Sequence, residues 1–249
     1  MSELNVLSFV ESAELPSARL EAAIISAPPI DLNMLPSSLV AGNTLIDFSA
    51  APSGAVRSGV SMALLFASRV ADAAMREGDD EDDWLASYKT NLRNLGFVIP
   101  QSALSISTFK KKGAFVHKAI IPFLTIAFGG AGIGPVILAA LNNLQEIDKE
   151  KSWITLFDRE SRKFNTRETH YAAVNADGSE TVIRHVVARL SFEQSETNVL
   201  FFRVTDTTAQ FESATTTMSA NNNLLAVLEP RLRQRMESEI GNFIAEART

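Results

Sequence analysis

The chain has 249 residues, 46% of them apolar and 21% charged, and a formal net charge of −6. That length buries a real core as one large domain or two small ones, and the acidic balance argues against a nucleic-acid partner, which needs a basic face. The absence of cysteine excludes disulfides, thiolate metal sites and a cysteine nucleophile, and three histidines (His117, His170 and His185) make a histidine-rich metal centre improbable.

The start, MSELNVLSFVESAEL, has no basic n-region and no long apolar h-region. Synthesis for the cytoplasm is the expectation, with release by a non-Sec route left open. Residues 1–54 include Pro16, Pro28, Pro29, Pro36 and Pro52 and read as an extended lead segment with one short helix, Ser17–Ser26. Leu20, Ile24, Ile25, Leu32, Leu35 and Ile46 need cover, so the segment is expected to pack on the body of the protein.

Residues 55–149 read as a helical portion. The first helix spans 55–77, where Val56, Val60, Leu64 and Val70 have helical spacing. Gly59, Ala63, Ala67 and Ala71 recur every four residues and make a smooth ridge, against which another helix packs closely. The acidic run Asp79–Asp83 lacks the alternating ligands of a calcium loop and fits the start of a helix, where the macrodipole favours carboxylates. That helix covers 82–95, with Trp84, Tyr88, Leu92 and Leu95 on one face and Gly96 as its stop. Residues 97–109 read as a short strand or loop.

Next comes the least ordinary stretch. From Ala119 to Gln145 there are 27 residues without an ionisable side chain, preceded by Lys110, Lys111, Lys112 and Lys118. Crossing a bilayer takes about 20 apolar residues as a helix. Pro122, the cluster Gly129–Gly134 and Pro135 break the stretch, so two shorter elements around a glycine turn are expected rather than one spanning helix. The candidate lipid-contact residues are Ile120, Ile121, Phe123, Leu124, Phe128, Ile133, Val136, Ile137 and Leu138, with the four lysines as a basic flank. His117 reads as a boundary residue whose protonation bears on any membrane switch. Over Ile120–Leu141, about a tenth of the chain, the pattern resembles in kind the helical pore-forming toxins. That resemblance implies a glycine-broken apolar hairpin sheltered until a membrane is met.

A competing reading takes Ile120–Phe128 as a strand, Gly129–Gly134 as a phosphate loop, Pro135–Ile147 as a helix, and Trp153–Asp158 as a second strand ending in an acid. Against it, Ala131 stands where the second glycine belongs, and Pro122 falls inside the first strand.

Residues 151–249 change character. Ser152–Phe157 is a short strand candidate. Residues 170–174 and 180–192 flank a good hairpin turn, Asn175–Ser179. In the second arm Val182, Val186, Ala188, Leu190 and Phe192 share one face and His185, Arg189, Ser191 and Glu193 the other, the pattern of a half-buried antiparallel sheet. His170 and His185 read as polar strand residues that face each other across the hairpin. Asn198–Asp206 reads as a central strand and Ala209–Ser219 as an extension of the sheet. A terminal helix is expected over about 229–247, from Leu232, Met236, Ile240, Phe243 and Ala247.

The expected fold is a soluble α+β protein. Its helical N-terminal portion carries a buried apolar hairpin, and its C-terminal antiparallel sheet is closed by an amphipathic helix. No nucleophile elbow, Walker loop or zinc-protease motif is present, so no catalytic, cofactor-binding or metal-ligating residue is assigned and no cofactor is expected. Three functions stay open. The leading one is a non-catalytic protein that binds an apolar or lipidic target, as a membrane-acting effector or toxin. The others are a structural or interaction module, with self-association into a homo-oligomer, and a nucleotide-dependent enzyme using Gly129–Gly134.

Overall fold

The computed structural model describes residues 3–16, 31, 33–50, 54–100, 105–108, 116–128, 135–142, 152–162, 166–191 and 210–247. Among these the fold is mixed α and β. The strands are β1 (Ser38–Ala41), β2 (Thr44–Ala50), β3 (Ser105–Thr108), β4 (Arg167–Asp177), β5 (Glu180–Ser191), β6 (Gln210–Asn221) and β7 (Ile244–Glu246). They form one sheet in the order β3-β6-β5-β4-β2-β1-β7, antiparallel throughout except where β2 runs parallel to β4. The helices are α1 (Glu3–Ser12), α2 (Gly54–Ala74), α3 (Glu81–Asn94), α4 (Val116–Phe128), α5 (Pro135–Asn142), α6 (Ser152–Glu160), α7 (Asn222–Arg235) and α8 (Ile240–Phe243).

Side chains alternate across a strand, and here both faces of the sheet are covered. On one face Leu39, Ile46, Ala172, Val174, Ile183, Val187 and Met218 pack against α1, α2, α3 and α7. On the other, Val40, Leu45, Tyr171, Ala173, Val186, Ala188 and Leu190 pack against α4, α5 and α6. The result is three layers with a hydrophobic core on each side of the sheet. The hairpin β4–β5 turns at Gly178, whose φ of +57° suits glycine, and the strands extend well beyond the turn. Its faces are not half-buried as the alternation suggests, because His185 and Arg189 are buried along with Val186 and Leu190. Alternation reports two different environments, and here both are interior.

The α1–α3–α7 layer is organised by α2. Every residue from Ser58 to Ala71 is buried. Gly59 meets α7 closely: a Cβ there would stand 3.2 Å from the carbonyl oxygen of Leu225 and 3.3 Å from its Cβ. Asn91 of α3 donates from Nδ2 to the Ala67 carbonyl at 3.2 Å, so the small-residue ridge serves close packing of helices. At the start of α3, Asp80 accepts from the backbone N–H of Asp82 and Asp83, while Asp83 accepts from the N–H of Asp80. The acidic run is a reciprocal cap, and Gly96 at φ +88° ends the helix.

Several elements differ from the sequence reading. Residues 38–50 form two strands within the sheet, joined at Gly42 (φ +59°), where no strand is expected. Ser152–Glu160 is a helix, not a strand, and buries Trp153, Ile154, Leu156 and Phe157. The terminal helix expected over 229–247 is instead the end of α7, the short α8 and β7, which pairs with β1. The break has a tertiary cause: Glu239 is drawn inward by Arg69 Nε at 2.6 Å, and Ile244–Glu246 complete the sheet edge. The helix expected at 17–26 and the strand expected at 198–206 lie outside the described residues.

Gly59→Val will test the α2–α7 contact. Overpacking of this kind costs about 1–3 kcal/mol. Urea unfolding will show a lower midpoint at unchanged slope, whereas an unchanged midpoint contradicts the contact.

Candidate functional site

The uncharged stretch lies on one face of the sheet as two helices in contact, α4 over β5 and α5 over β2. Pro122 sits within α4. The inner sides are fully packed: Ile120, Leu124 and Phe128 of α4 and Ile137 and Leu141 of α5 are buried against Leu45, Tyr171 and Val186. Ile121, Phe123 and Leu138 are partly buried against the same core, and Val136 is half-buried. The outward positions are Pro122, Thr125, Ile126, Pro135, Ala139 and Asn142. None is ionisable, and Ile126 is 81% exposed. An ordinary surface helix turns charge outward, so this layer departs from the usual pattern.

Two charged side chains from the sheet hold the ends of the two helices. Asp47 of β2 is buried at 1% exposure. Its Oδ2 accepts from the backbone N–H of Val136 at 2.8 Å and of Ile137 at 3.4 Å, while Oδ1 accepts from the Ser49 N–H at 2.7 Å. The carboxylate thus satisfies amides that the first turn of α5 leaves free and meets the positive end of its dipole. The register of β2 against β4 shifts between Asp47 and Ala50, a local irregularity of the kind that re-aims a side chain. At the other helix, Arg184 of β5 donates from Nη1 to the Ala127 carbonyl at 3.1 Å, at the negative end of α4. One acid and one base, each at the helix end its charge favours, pin an uncharged layer to the sheet.

The opposite face carries a polar cluster beneath α3. Glu168 of β4 accepts from Arg189 of β5 at 2.8 Å (Nη2) and 3.1 Å (Nε), and its other oxygen stands 2.8 Å from His170 Nε2. Arg189 also reaches Asp82 of α3 at 2.7 Å and Glu212 of β6 at 3.4 Å. The His170 and His185 rings meet edge to face, their centroids 4.9 Å apart. Trp84 and Tyr88 of α3 stack on one another, and both rings contact His170. Burial raises the Glu168 carboxyl, but the hydrogen bond and charge of His170 and the charge of Arg189 outweigh it and hold the group below its ordinary value. Burial, then the charges of His170 and Lys89, push His185 well below the ordinary histidine value. Burial drives the Tyr88 hydroxyl upward.

No protein-family model matches the chain, and no curated protein sequence matches it. Four solved chains match in structure. One, named delta-endotoxin, aligns over 84% of this chain and 91% of its own at 11% identity, with a TM-score of 0.40. A likeness that remote supports no inference about this chain.

Of the candidate lipid-contact residues, Ile120, Leu124, Phe128 and Ile137 are interior in this structure, while Ile121, Phe123, Val136 and Leu138 are half-buried. Lys118 falls within α4. Ile133, Lys110, Lys111 and Lys112 lie outside the described residues, as does the Gly129–Gly134 loop. The nucleotide-binding reading loses its structural premise. Ile120–Phe128 and Trp153–Phe157 are helices rather than strands, so the strand–loop–helix–strand order is not formed. Asp158, its acidic terminus, pairs with Arg162, two residues beyond the end of α6. His170 and His185 do face each other, but in the interior rather than at the surface, at 0% and 4% exposure. Sequence reading missed Asp47, Arg184, Glu168 and Arg189. A signal existed for Asp47, a lone acid in the apolar run TLIDF, which marks a buried charge that needs partners.

Asp47→Ala leaves the Val136 and Ile137 amides without their acceptor and will cost about 1–3 kcal/mol. Hydrogen exchange will show faster opening of 135–142 than of α2. Equal exchange in variant and parent contradicts the anchoring role.

Proposed function

We propose that this is a non-catalytic protein that binds an apolar or lipidic target through the α4–α5 layer, and that it acts on membranes as an effector or toxin. The observation that carries the reading is the uncharged outward face of these helices, with Ile126 81% exposed and the inner face apolar as well. A helix apolar on both sides is suited to a lipid environment as much as to a protein interior. None of the layer's described side chains, 120–128 and 135–142, is ionisable, and the two anchors, Asp47 and Arg184, belong to the sheet rather than to the helices. From Ala119 onward the two helices carry no charged side chain that would resist transfer to lipid, and Lys118 stands in the first turn of α4.

Among the described residues no helix is long and apolar enough to cross a membrane, and α4 and α5 have 13 and 8 residues. The proposal is therefore binding at the interface, or shallow insertion of the pair, rather than single-helix spanning. The Lys110–Lys112 and Lys118 flank favours anionic headgroups.

A second reading, an interaction module with an ordinary core, is favoured by the complete burial of Leu124, Ile137 and Leu141. Vesicle flotation and dye release across pH 5–8 separate the two. The membrane reading predicts binding that rises with anionic lipid and falls at least tenfold in Ile126→Asp, whose exposed site leaves the melting temperature unchanged. A charge costs about 2.5–3.5 kcal/mol at the centre of a membrane helix and less at the interface. No binding under any lipid composition sinks the reading and leaves the interaction module.

A further inference from the structure

We propose that the buried contact of His185 with His170 is an acid-operated lock on α3, released when His185 takes up a proton it does not carry in the closed fold. This lies beyond the membrane reading, since it concerns the opposite face of the sheet and stands whether or not the protein binds lipid. Three observations carry it. First, the two rings are in contact at 4.9 Å between centroids and are closed from solvent. Second, His185 Nε2 is buried without a hydrogen-bond partner among the described residues, so a proton added there has no acceptor to meet it. A buried charge left unpaired is strongly unfavourable. Third, the cover over the pair among the described residues is one helix. Trp84 and Tyr88 of α3 contact His170, and Tyr88 also contacts His185 at 6.0 Å.

The surrounding charges set the direction. Facing the pair from β4 is Glu168, already shared between His170 and Arg189. From β5 comes Arg189 and from β6 comes Glu212, itself paired to Arg189. Of the ionisable groups of α3, Asp82 is bound to Arg189, while Tyr88 and Lys89 lie beside the pair, and the positive charge of Lys89 opposes a charge on His185; Glu81, Asp83 and Arg93 complete the charged set of that helix. Thr44 is the neutral contribution of β2 beside Tyr88. Among the described residues no carboxylate is left for a protonated His185.

The pH dependence follows. His185 is neutral when covered and free to bind a proton when α3 lifts, because an exposed histidine titrates near pH 6.5. The open form thus binds more protons below that value, and the closed form loses stability as pH falls through it. One proton taken up on opening makes the opening equilibrium more favourable by up to tenfold per pH unit. Glu168 stays ionised in this range and contributes no loss until pH falls toward the ordinary carboxylate value. An opened α3 exposes Trp84, Leu85, Tyr88 and Leu92, all buried in the closed form.

Hydrogen exchange of the full chain without lipid, between pH 7.5 and 5 and corrected for the intrinsic rate, tests the lock. The expected result is that protection of 81–94 falls by up to tenfold per pH unit below about pH 6.5, while 152–160 on the other face holds steady. His185→Gln will flatten that dependence. Should this variant not fold, Trp84 emission in Trp153→Phe supplies the second reading: a red shift on acidification that precedes loss of the far-ultraviolet helical signal. Protection of α3 that is independent of pH overturns the proposal. So does loss of α3 and α6 protection together, which is global acid unfolding, and so does an unchanged pH profile in His185→Gln.

Discussion

The fold depends on a sheet that must be covered on both faces. Strands β1, β2, β4 and β5 bury apolar side chains alternately to either side. Covering them takes two helical layers, and the chain supplies these from different parts of its length. Segments near both termini give α1, α2, α3 and α7 to one face. The middle gives α4, α5 and α6 to the other. That demand explains why the uncharged stretch has a place in a folded protein at all. Its inner side chains complete a core that β2, β4 and β5 would otherwise expose to water.

The two faces solve the covering problem with different chemistry. Beneath α4 and α5 the described interface is apolar, with one buried acid and one base that hold the helix ends. Those contacts are directional and few, so removing the layer breaks a small number of polar bonds along with its hydrophobic contact. Beneath α3 the interface is polar and aromatic. Glu168 and Arg189 form an ion pair in the interior, and two histidines sit within it. Buried pairs of that kind add little net stability against an apolar alternative, but breaking one is costly. Such an arrangement makes the closed state sensitive to protonation where a plain hydrocarbon interface is not. The layer proposed to meet a target and the layer proposed to respond to pH are thus separable, with the sheet between them.

Much of the fold was legible in the sequence, and each failure has a physical cause. Helices α2 and α3 showed themselves through periodicity, the small-residue ridge and the acidic cap, all of them local signals. The β4–β5 hairpin was legible from its turn. Strands β1 and β2 were not, because a strand buried on both faces loses its alternation. A signal remained in Gly42-Asn43 between two apolar runs, a dipeptide typical of tight hairpins. Trp153–Phe157 was ambiguous, since a short apolar run fits a helix or a strand equally. The C-terminal break is a tertiary effect: Ile244–Glu246 pair with β1, and Glu239 answers Arg69. At the site, the uncharged helices were visible from composition. Their anchors were not, because Asp47 is 89 residues away from Val136 and Arg184 is 57 from Ala127. The facing of His170 and His185 followed from strand parity, but their burial did not, since nothing in β4 or β5 announces that α3 lies above them.

The central claim is that the outward side of α4 meets lipid, and the cysteine-free chain allows it to be tested at one atom. A single cysteine at position 126, labelled with a polarity-sensitive fluorophore, reports the environment of that side directly. On mixing with anionic vesicles the account predicts a blue-shifted, brighter emission that a bilayer-embedded quencher extinguishes. Emission that stays aqueous in every lipid composition would contradict it.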